Sequence, residues 1–351
     1  MEDVIGGRAD PAKFDAYLAD WRTVLARRTA AAVAALSEVS GVCGLILAGS
    51  LGRGDEWPLS DIDLLPIYNG AIDGDAAAEV ERRRMALQSE WLRQGWWTGL
   101  DIGRLAFTQE ELRQALEGDD LTDAALLQDD RWYHSVDKGY QGRAVFDAAG
   151  VADALTEWLT AHRFSPAVVR LRMEREEREI ADAMERLGDA VIKADPLGVA
   201  VESRLVVKWV QTWLLESWGE RDNSLGRFGT RFERSAHAHG MTDLITELNS
   251  VSSLDEGSVR RRMSAAPAWV WERHDRSWRS RRLIGEEVLR DQDARDVLRV
   301  CSHYALQKHP SPPYPEWLAV PTERQTKEIL FTILRSVVEP LLERGVAKTD
   351  G

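Results

Sequence analysis

The chain divides near residue 150 into two stretches with different hydrophobic periodicities. In the first, short apolar runs alternate with amphipathic segments. Asp10 to Ser37 repeats apolar residues at helical spacing, with Phe14, Leu18, Trp21, Val24 and Leu25 in phase. Val42 to Ala48 is an apolar run of strand length, and Ile62 to Tyr68 is a second. Gly70 and Gly74 interrupt the chain before a helical pattern over Ala76 to Gln94, which carries Val80, Met85, Leu87 and Trp91. Leu100 to Phe107 alternates as a third strand. Thr108-Gln-Glu-Glu111 reads as a helix N-cap followed by an acidic first turn, and Gly142 to Asp147 as a short fourth strand ending at Gly150. Strands interleaved with helices make residues 1–150 an α+β unit.

From Val151 onward the strand signals stop. Ser165-Pro166 opens a long helix with Glu/Arg pairs at i,i+3 and i,i+4 spacing through Lys193. Pro196 separates it from a second helix, Gly198 to Trp218. Breaks near Gly226, Gly240, Pro267 and the Pro310 to Pro315 cluster delimit further helices, and Thr322 to Arg344 closes the chain. Residues 151–351 are therefore expected to form an all-helical domain, and no internal repeat is present.

The chemistry is concentrated between the first two apolar runs, in the sequence Leu45 to Ile67. The first run ends in Gly49-Ser50, a turn containing Gly52, Arg53 and Gly54 follows, and Asp61-Ile62-Asp63 opens the second run. On a strand, side chains alternate faces, so Asp61 and Asp63 share one face while Ile62 points into the core. Two carboxylates held side by side repel each other unless a cation lies between them, and a divalent metal with oxygen ligands is the usual answer. The glycines free the turn of bulk, so that its backbone N–H groups can converge on an anion. The third strand offers another acid, Asp101, between Leu100 and Ile102. A carboxylate in such a place is unfavourable unless it is paired or lies on a functional face. Asp101 is thus a candidate metal ligand or general base, the alternative being that it caps the strand after Gly99.

Charge refines this picture. The formal net charge is 45 − 58 = −13, and residues 1–150 contribute 15 − 26 = −11 of it. A protein that grips a long nucleic acid normally presents a basic stripe, so the balance argues against a polymer template and suits a small or cationic acceptor. No apolar stretch reaches membrane-spanning length and no secretory signal is visible. Cys43 and Cys301 suggest no disulfide framework, and a cytoplasmic location is expected.

The run Gly49-Ser50, then Asp61-Ile62-Asp63, then an acid on the next strand after a helix, resembles the nucleotidyltransferase superfamily of DNA polymerase β. The Gly-Ser-Leu-Gly-Arg turn and Ser60-Asp-Ile-Asp63 most resemble its small-molecule branch, such as the aminoglycoside nucleotidyltransferases. The resemblance covers about residues 40–150, with a helical second domain as a shared layout. It implies a small mixed sheet flanked by helices, two Mg²⁺ ions, and an NTP donor (ATP as the first expectation) that loses pyrophosphate. It assigns Gly49 and Ser50 to the triphosphate, Asp61 and Asp63 to metal, and Asp101 to the third acid. Relatives hold the triphosphate with a basic residue of the second domain, for which Lys208, Arg227 or Arg231 are candidates; the other reading of Lys208, among Val206, Val207, Trp209 and Val210, is a snorkelling side chain. Arg53 either reaches a phosphate or pairs with Asp55 and Glu56.

The remaining motifs read as structural. Trp209, Trp213 and Trp218 follow near-helical spacing and read as core, whereas Trp96 and Trp97 precede the third strand and could wall a cleft. Arg234-Ser-Ala-His-Ala-His239 has the spacing of an Arg-x4-His nuclease element, which chance explains in so Arg-rich a chain. The function expected is transfer of a nucleoside monophosphate to a small-molecule hydroxyl, with NTP and acceptor as partners and neither long nucleic acid nor membrane. The alternatives are a protein adenylyl- or uridylyltransferase and an antitoxin-like module that binds a protein partner.

Overall fold

The structure is a computed structural model that describes residues 10–102, 105–117, 129–221, 226–308 and 313–341. The chain forms two compact units, Met1–Leu171 and Arg172–Gly351.

In the first unit, helices α1 (Pro11–Ala19) and α2 (Trp21–Ser37) precede strand β1 (Val42–Ala48). The one helix expected over Asp10 to Ser37 is two, because Asp20 leaves the helical region at φ −135°, ψ 27°. The short turn α3 (Gly49–Arg53) leads to β2 (Ile62–Tyr68), followed by α4 (Asp75–Arg93). Next come β3 (Leu100–Asp101), β4 (Phe107–Thr108), α5 (Gln109–Glu117), α6 (Asp130–Lys138), β5 (Arg143–Asp147) and α7 (Val151–His162). The strand order is β3-β2-β1-β5, with β4 also pairing with β2. β1 is antiparallel to β2 and β5, while β3 and β4 run parallel to β2, so the sheet is small and mixed.

The third strand is not continuous as expected. Leu100 pairs with Ile62 and Phe107 with Ile67, so seven residue steps run beside five and the ladder must break between them. Residues 103 and 104 of the expected strand lie outside the described residues. The N-cap at Thr108 is present as a full capping box: Glu111 N–H donates to Thr108 Oγ1 at 3.0 Å, and Thr108 N–H to Glu111 Oε2 at 3.3 Å.

Both faces of the sheet are covered, which is why β1 and β2 read as continuous apolar runs rather than alternating ones. Ile62 and Leu64 pack with Leu45 and Leu47 against Ala32, Leu36, Val80 and Trp91 of α2 and α4. Leu65 and Ile67 pack with Ile46 and Ala48 against Leu112, Trp132, Val136, Leu155 and Leu159 of α5, α6 and α7. By the two-residue alternation of a strand, Asp63 falls on the second of these faces, the one that α6 covers. Helix α7 belongs to this core through Val151, Ala152, Leu155 and Leu159. The Asp147 carboxylate at the end of β5 accepts the N–H groups of Val151, Ala152 and Asp153 at 3.0–3.1 Å and so starts the helix. The first unit therefore runs through Leu171, past the boundary expected at 150.

Helix α8 (Pro166–Ile192) carries the chain into the second unit, which is helical among its described residues. It contains α9 (Pro196–Ser217), α10 (Phe228–Ala238), α11 (Thr242–Val251), α12 (Glu256–Ser264), α13 (Ala268–Leu283), α14 (Arg290–Lys308) and α15 (Glu323–Thr332). Helix α15 continues as a π-helical turn, Ile333–Val338, and the end expected at Arg344 lies outside the described residues. Leu187, Val199, Val206, Val210, Leu214, Phe232 and Leu248 form its core. No helix among the described residues is long and apolar enough to cross a membrane.

Candidate active site

The β1–α3–β2 segment builds the centre. Ala48, the last residue of β1, pairs with Asp63 of β2, so the Gly49 turn starts directly beside the Asp63 carboxylate. Gly49 has φ +63°, and a Cβ there would lie 1.8 Å from Asp63 Oδ2. Glycine at this position is thus demanded twice, by the backbone conformation and by the carboxylate. Gly52 is held close as well: a Cβ would stand 2.4 Å from the Leu47 carbonyl oxygen. The Ser50 hydroxyl donates to Ser60 Oγ at 2.9 Å, and Ser60 Oγ in turn accepts the Trp57 N–H at 3.0 Å. Ser50 therefore ties the turn to the segment that delivers Asp61, a fold role that sequence spacing does not reveal.

Strand β3 brings the third acid into place. Asp101 lies in register with Asp63 across a parallel pair, and the Ile62 N–H donates to the Gly99 carbonyl at 2.8 Å. Ile62 is buried in the core while Asp61 and Asp63 take the other face, as the alternation requires. Asp63 is 4% exposed, whereas the Asp101 side chain keeps 49% of its surface in solvent. Asp61 also keeps access to water, although protein surrounds it closely enough to disfavour its charge.

One cation sits among the three acids. Lys138 Nζ, from the last residue of α6, lies 2.7 Å from Asp63 Oδ1 and 2.5 Å from Asp101 Oδ2. Burial works against the lysine's charge, but Asp63, Asp101 and Asp61 together hold its pKa above the ordinary value. Burial and the neighbouring Asp63 push Asp61 up to about 7, with Lys138 opposing, and burial likewise raises Asp63 against the pull of Lys138. Sequence reasoning missed Lys138. Its only local signal is a basic residue in the last turn of a helix, where the macrodipole favours a cation. Among the described residues, no group of three or more His, Cys, Asp or Glu side chains is arranged to hold a metal ion. The expected trio does gather at adjacent strand starts, but around an ammonium.

The other expected site residues are placed as follows. Arg53 is mostly buried and pairs with Asp55 at 3.3 Å, and its charge also eases that of Asp63. Lys208 lies on α9 of the second unit, exposed, with its ammonium 4.6 Å from the Trp209 ring centroid, which is the snorkelling arrangement. Arg227 is buried in the second unit, 3.8 Å from Glu286. Trp96 packs on Phe14 and Tyr17 with centroids 4.7 and 4.9 Å apart, so it anchors α1. Arg234 faces Glu286 at 3.8 Å, whereas His239 stacks on Trp218 at 4.5 Å, so these two side chains engage different partners. Both cysteines are buried and free.

Over 160 residues the chain is similar to the bifunctional uridylyltransferase/uridylyl-removing enzyme of Thiobacillus denitrificans (strain ATCC 25259 / T1), at 31% identity. The match covers 42% of this chain and 18% of that protein, so the chain spans less than a fifth of the length of this curated relative. No family model and no solved structure matches the chain. The likeness supports a distant relationship to nucleotidyltransferases and does not single out the aminoglycoside-like branch.

The raised pKa of Asp61 has a consequence for stability. A carboxyl group whose folded value is about 7, against an unfolded value of about 4, binds more protons when folded between those two pH values. Its contribution to stability therefore falls as pH rises through that window, and the penalty is complete above about 7. Asp61→Asn in metal-free buffer is expected to raise Tm at pH 8 and to leave it unchanged below about pH 4. Because the carboxylate is open to solvent, the gain is discounted to the order of 1 kcal/mol, or about 2–4 °C. A Tm unchanged at pH 8 in thermal melts would mean that Lys138 neutralises Asp61 fully.

Proposed function

We propose that the chain is a nucleotidyltransferase that moves a nucleoside monophosphate from an NTP to a hydroxyl of a small molecule and releases pyrophosphate. The observation that carries this reading is the register of Asp63 with Asp101, with Asp61 on the same side and the Gly49 turn against the Asp63 carboxylate. Three acids at adjacent strand starts are costly in a pure binding module, whereas nucleotidyl transfer uses each of them. The likeness to a uridylyltransferase agrees with this class of reaction.

Hard carboxylate oxygens that repel one another fit a hard divalent cation, and Asp61 and Asp63 are the residues that would hold it. Mg²⁺ bound there would neutralise phosphate charge and favour departure of pyrophosphate. The side chains of the chain supply the rest. Asp101, half in solvent on the neighbouring strand, is able to meet the acceptor hydroxyl and take its proton as it attacks the α-phosphorus. The Gly49 turn excludes side-chain bulk where the triphosphate would approach. The helical unit is assigned acceptor selection.

The charge of −11 over residues 1–150 favours a cationic acceptor such as an aminoglycoside. The test is pyrophosphate release with Mg²⁺ and each NTP, UTP included, against aminoglycosides, cell metabolites and candidate protein acceptors. A labelled small molecule is expected, with acceptor affinity that weakens as salt rises, since exposed charges are screened over about 10 Å at 0.1 M. Labelling of a protein alone would replace the small-molecule acceptor. No pyrophosphate with any donor would overturn the reading.

A further inference from the structure

The resemblance of the sequence to two-ion nucleotidyltransferases leaves Lys138 without a role, yet the fold places it at the centre of the acids. We propose that the Lys138 ammonium stands permanently where a second divalent ion would lie. The centre then binds one divalent cation per chain, at Asp61 and Asp63, and Lys138 acts as the positioning residue that holds Asp101. This inference rests on the nucleotidyl-transfer reading above.

Three observations carry it. First, the ammonium bridges one carboxylate oxygen of Asp63 and one of Asp101, at 2.7 and 2.5 Å, as an ion shared by two ligands would. A cation already between these carboxylates leaves no three of them open to a single metal, and none is so arranged among the described residues. Second, the lysine is built into place from both sides. Asp129 caps the start of α6 by accepting the Arg131 N–H at 2.8 Å, and Trp132 and Val136 anchor the helix in the core. Asp137, the neighbour of Lys138, is paired at 3.0 Å with the fully buried Arg163. Gly139 follows with so little room that a Cβ would lie 2.5 Å from Leu159 Cδ1. The helix end cannot withdraw without breaking that packing. Third, the formal charges balance: with an ion bound, three carboxylates and one ammonium sum to two negative charges, which one divalent ion neutralises. Releasing the lysine to admit a second ion would separate the ammonium from both of its carboxylate partners.

The test is the stoichiometry of Mn²⁺ bound to the full chain, by isothermal titration and electron paramagnetic resonance, with Mn²⁺ alone as the probe. The wild-type chain and Lys138→Arg are expected to bind one ion. Lys138→Met is expected to bind two, with a spin-coupled Mn²⁺ pair and first-ion affinity tightened about tenfold by loss of the nearby positive charge. Lys138→Gln serves if the Met variant does not fold, and its folding is checked by thermal melt. Two ions on the wild-type chain, or still one on a folded Lys138→Met or Lys138→Gln variant, would overturn the inference while leaving nucleotidyl transfer standing. No Mn²⁺ bound by the wild type overturns the inference, and if pyrophosphate release is also absent the reading beneath it falls too.

Discussion

Asp63→Asn is expected to lower nucleotidyl transfer by about 10³-fold or more while the chain stays folded. The side chain is buried at the junction of the Gly49 turn, β3 and α6, and its carboxylate touches the Lys138 ammonium. Asparagine keeps the shape but removes the charge, so neither a divalent ion nor Lys138 retains its partner there. Stability should not fall, because burial already disfavours the charged form of Asp63 and the substitution removes that penalty. Pyrophosphate release measured beside a thermal melt separates the two effects. Release near the wild-type rate from a folded variant would remove Asp63 from the chemistry.

The second large effect is in the helical unit and concerns stability alone. Arg281 is fully buried, with its guanidinium 2.8 Å from Asp293 Oδ1 and 2.7 Å from Asp296 Oδ2, and it donates to the Gly226 carbonyl at 2.8 Å. Asp296 in turn accepts the Gly229 N–H at 2.9 Å and the Thr230 hydroxyl at 2.7 Å, so this network fixes the start of α10 against α13 and α14. Even with Arg281 present, burial pushes Asp293 up to about 6. Arg281→Met would leave the buried Asp293 without its arginine and Asp296 with Arg299 at 3.4 Å, a loss of about 3–5 kcal/mol. Asp293, whose folded pKa is raised, binds its proton more firmly in the fold than in the unfolded chain. The loss should accordingly be greatest above neutral pH and shrink as pH falls below about 6 and the acid is neutralised. Chemical denaturation of the variant at pH 8 and pH 5 checks both the size and the sign. A loss under about 1 kcal/mol at pH 8 would show that the network contributes little net stability.

What could be read from the sequence lies within short windows. The two apolar runs, the glycine turn between them and the Asp61/Ile62/Asp63 alternation follow from period and turn chemistry, and the structure keeps each of them. The capping box at Thr108 and the proline start of the helix at Pro166 are legible for the same reason, since a cap satisfies backbone groups only a few residues away. Asp101 could be proposed from the sequence as an acid among apolar neighbours, but its register with Asp63 depends on a parallel pairing that spans a whole helix. Tertiary structure alone decided the rest. Helix α7 belongs to the first unit because its apolar face completes the core on one side of the sheet, which no local composition shift marks. Lys138 enters the centre from a helix 37 residues beyond Asp101 because α6 covers the same sheet face that Asp63 takes. Arg281, one arginine in a run of basic residues, is selected for burial because its position on α13 sets it against both Asp293 and Asp296 of α14. Local periodicity determines which residues share a face, while the pairing of faces from distant elements determines which charges meet.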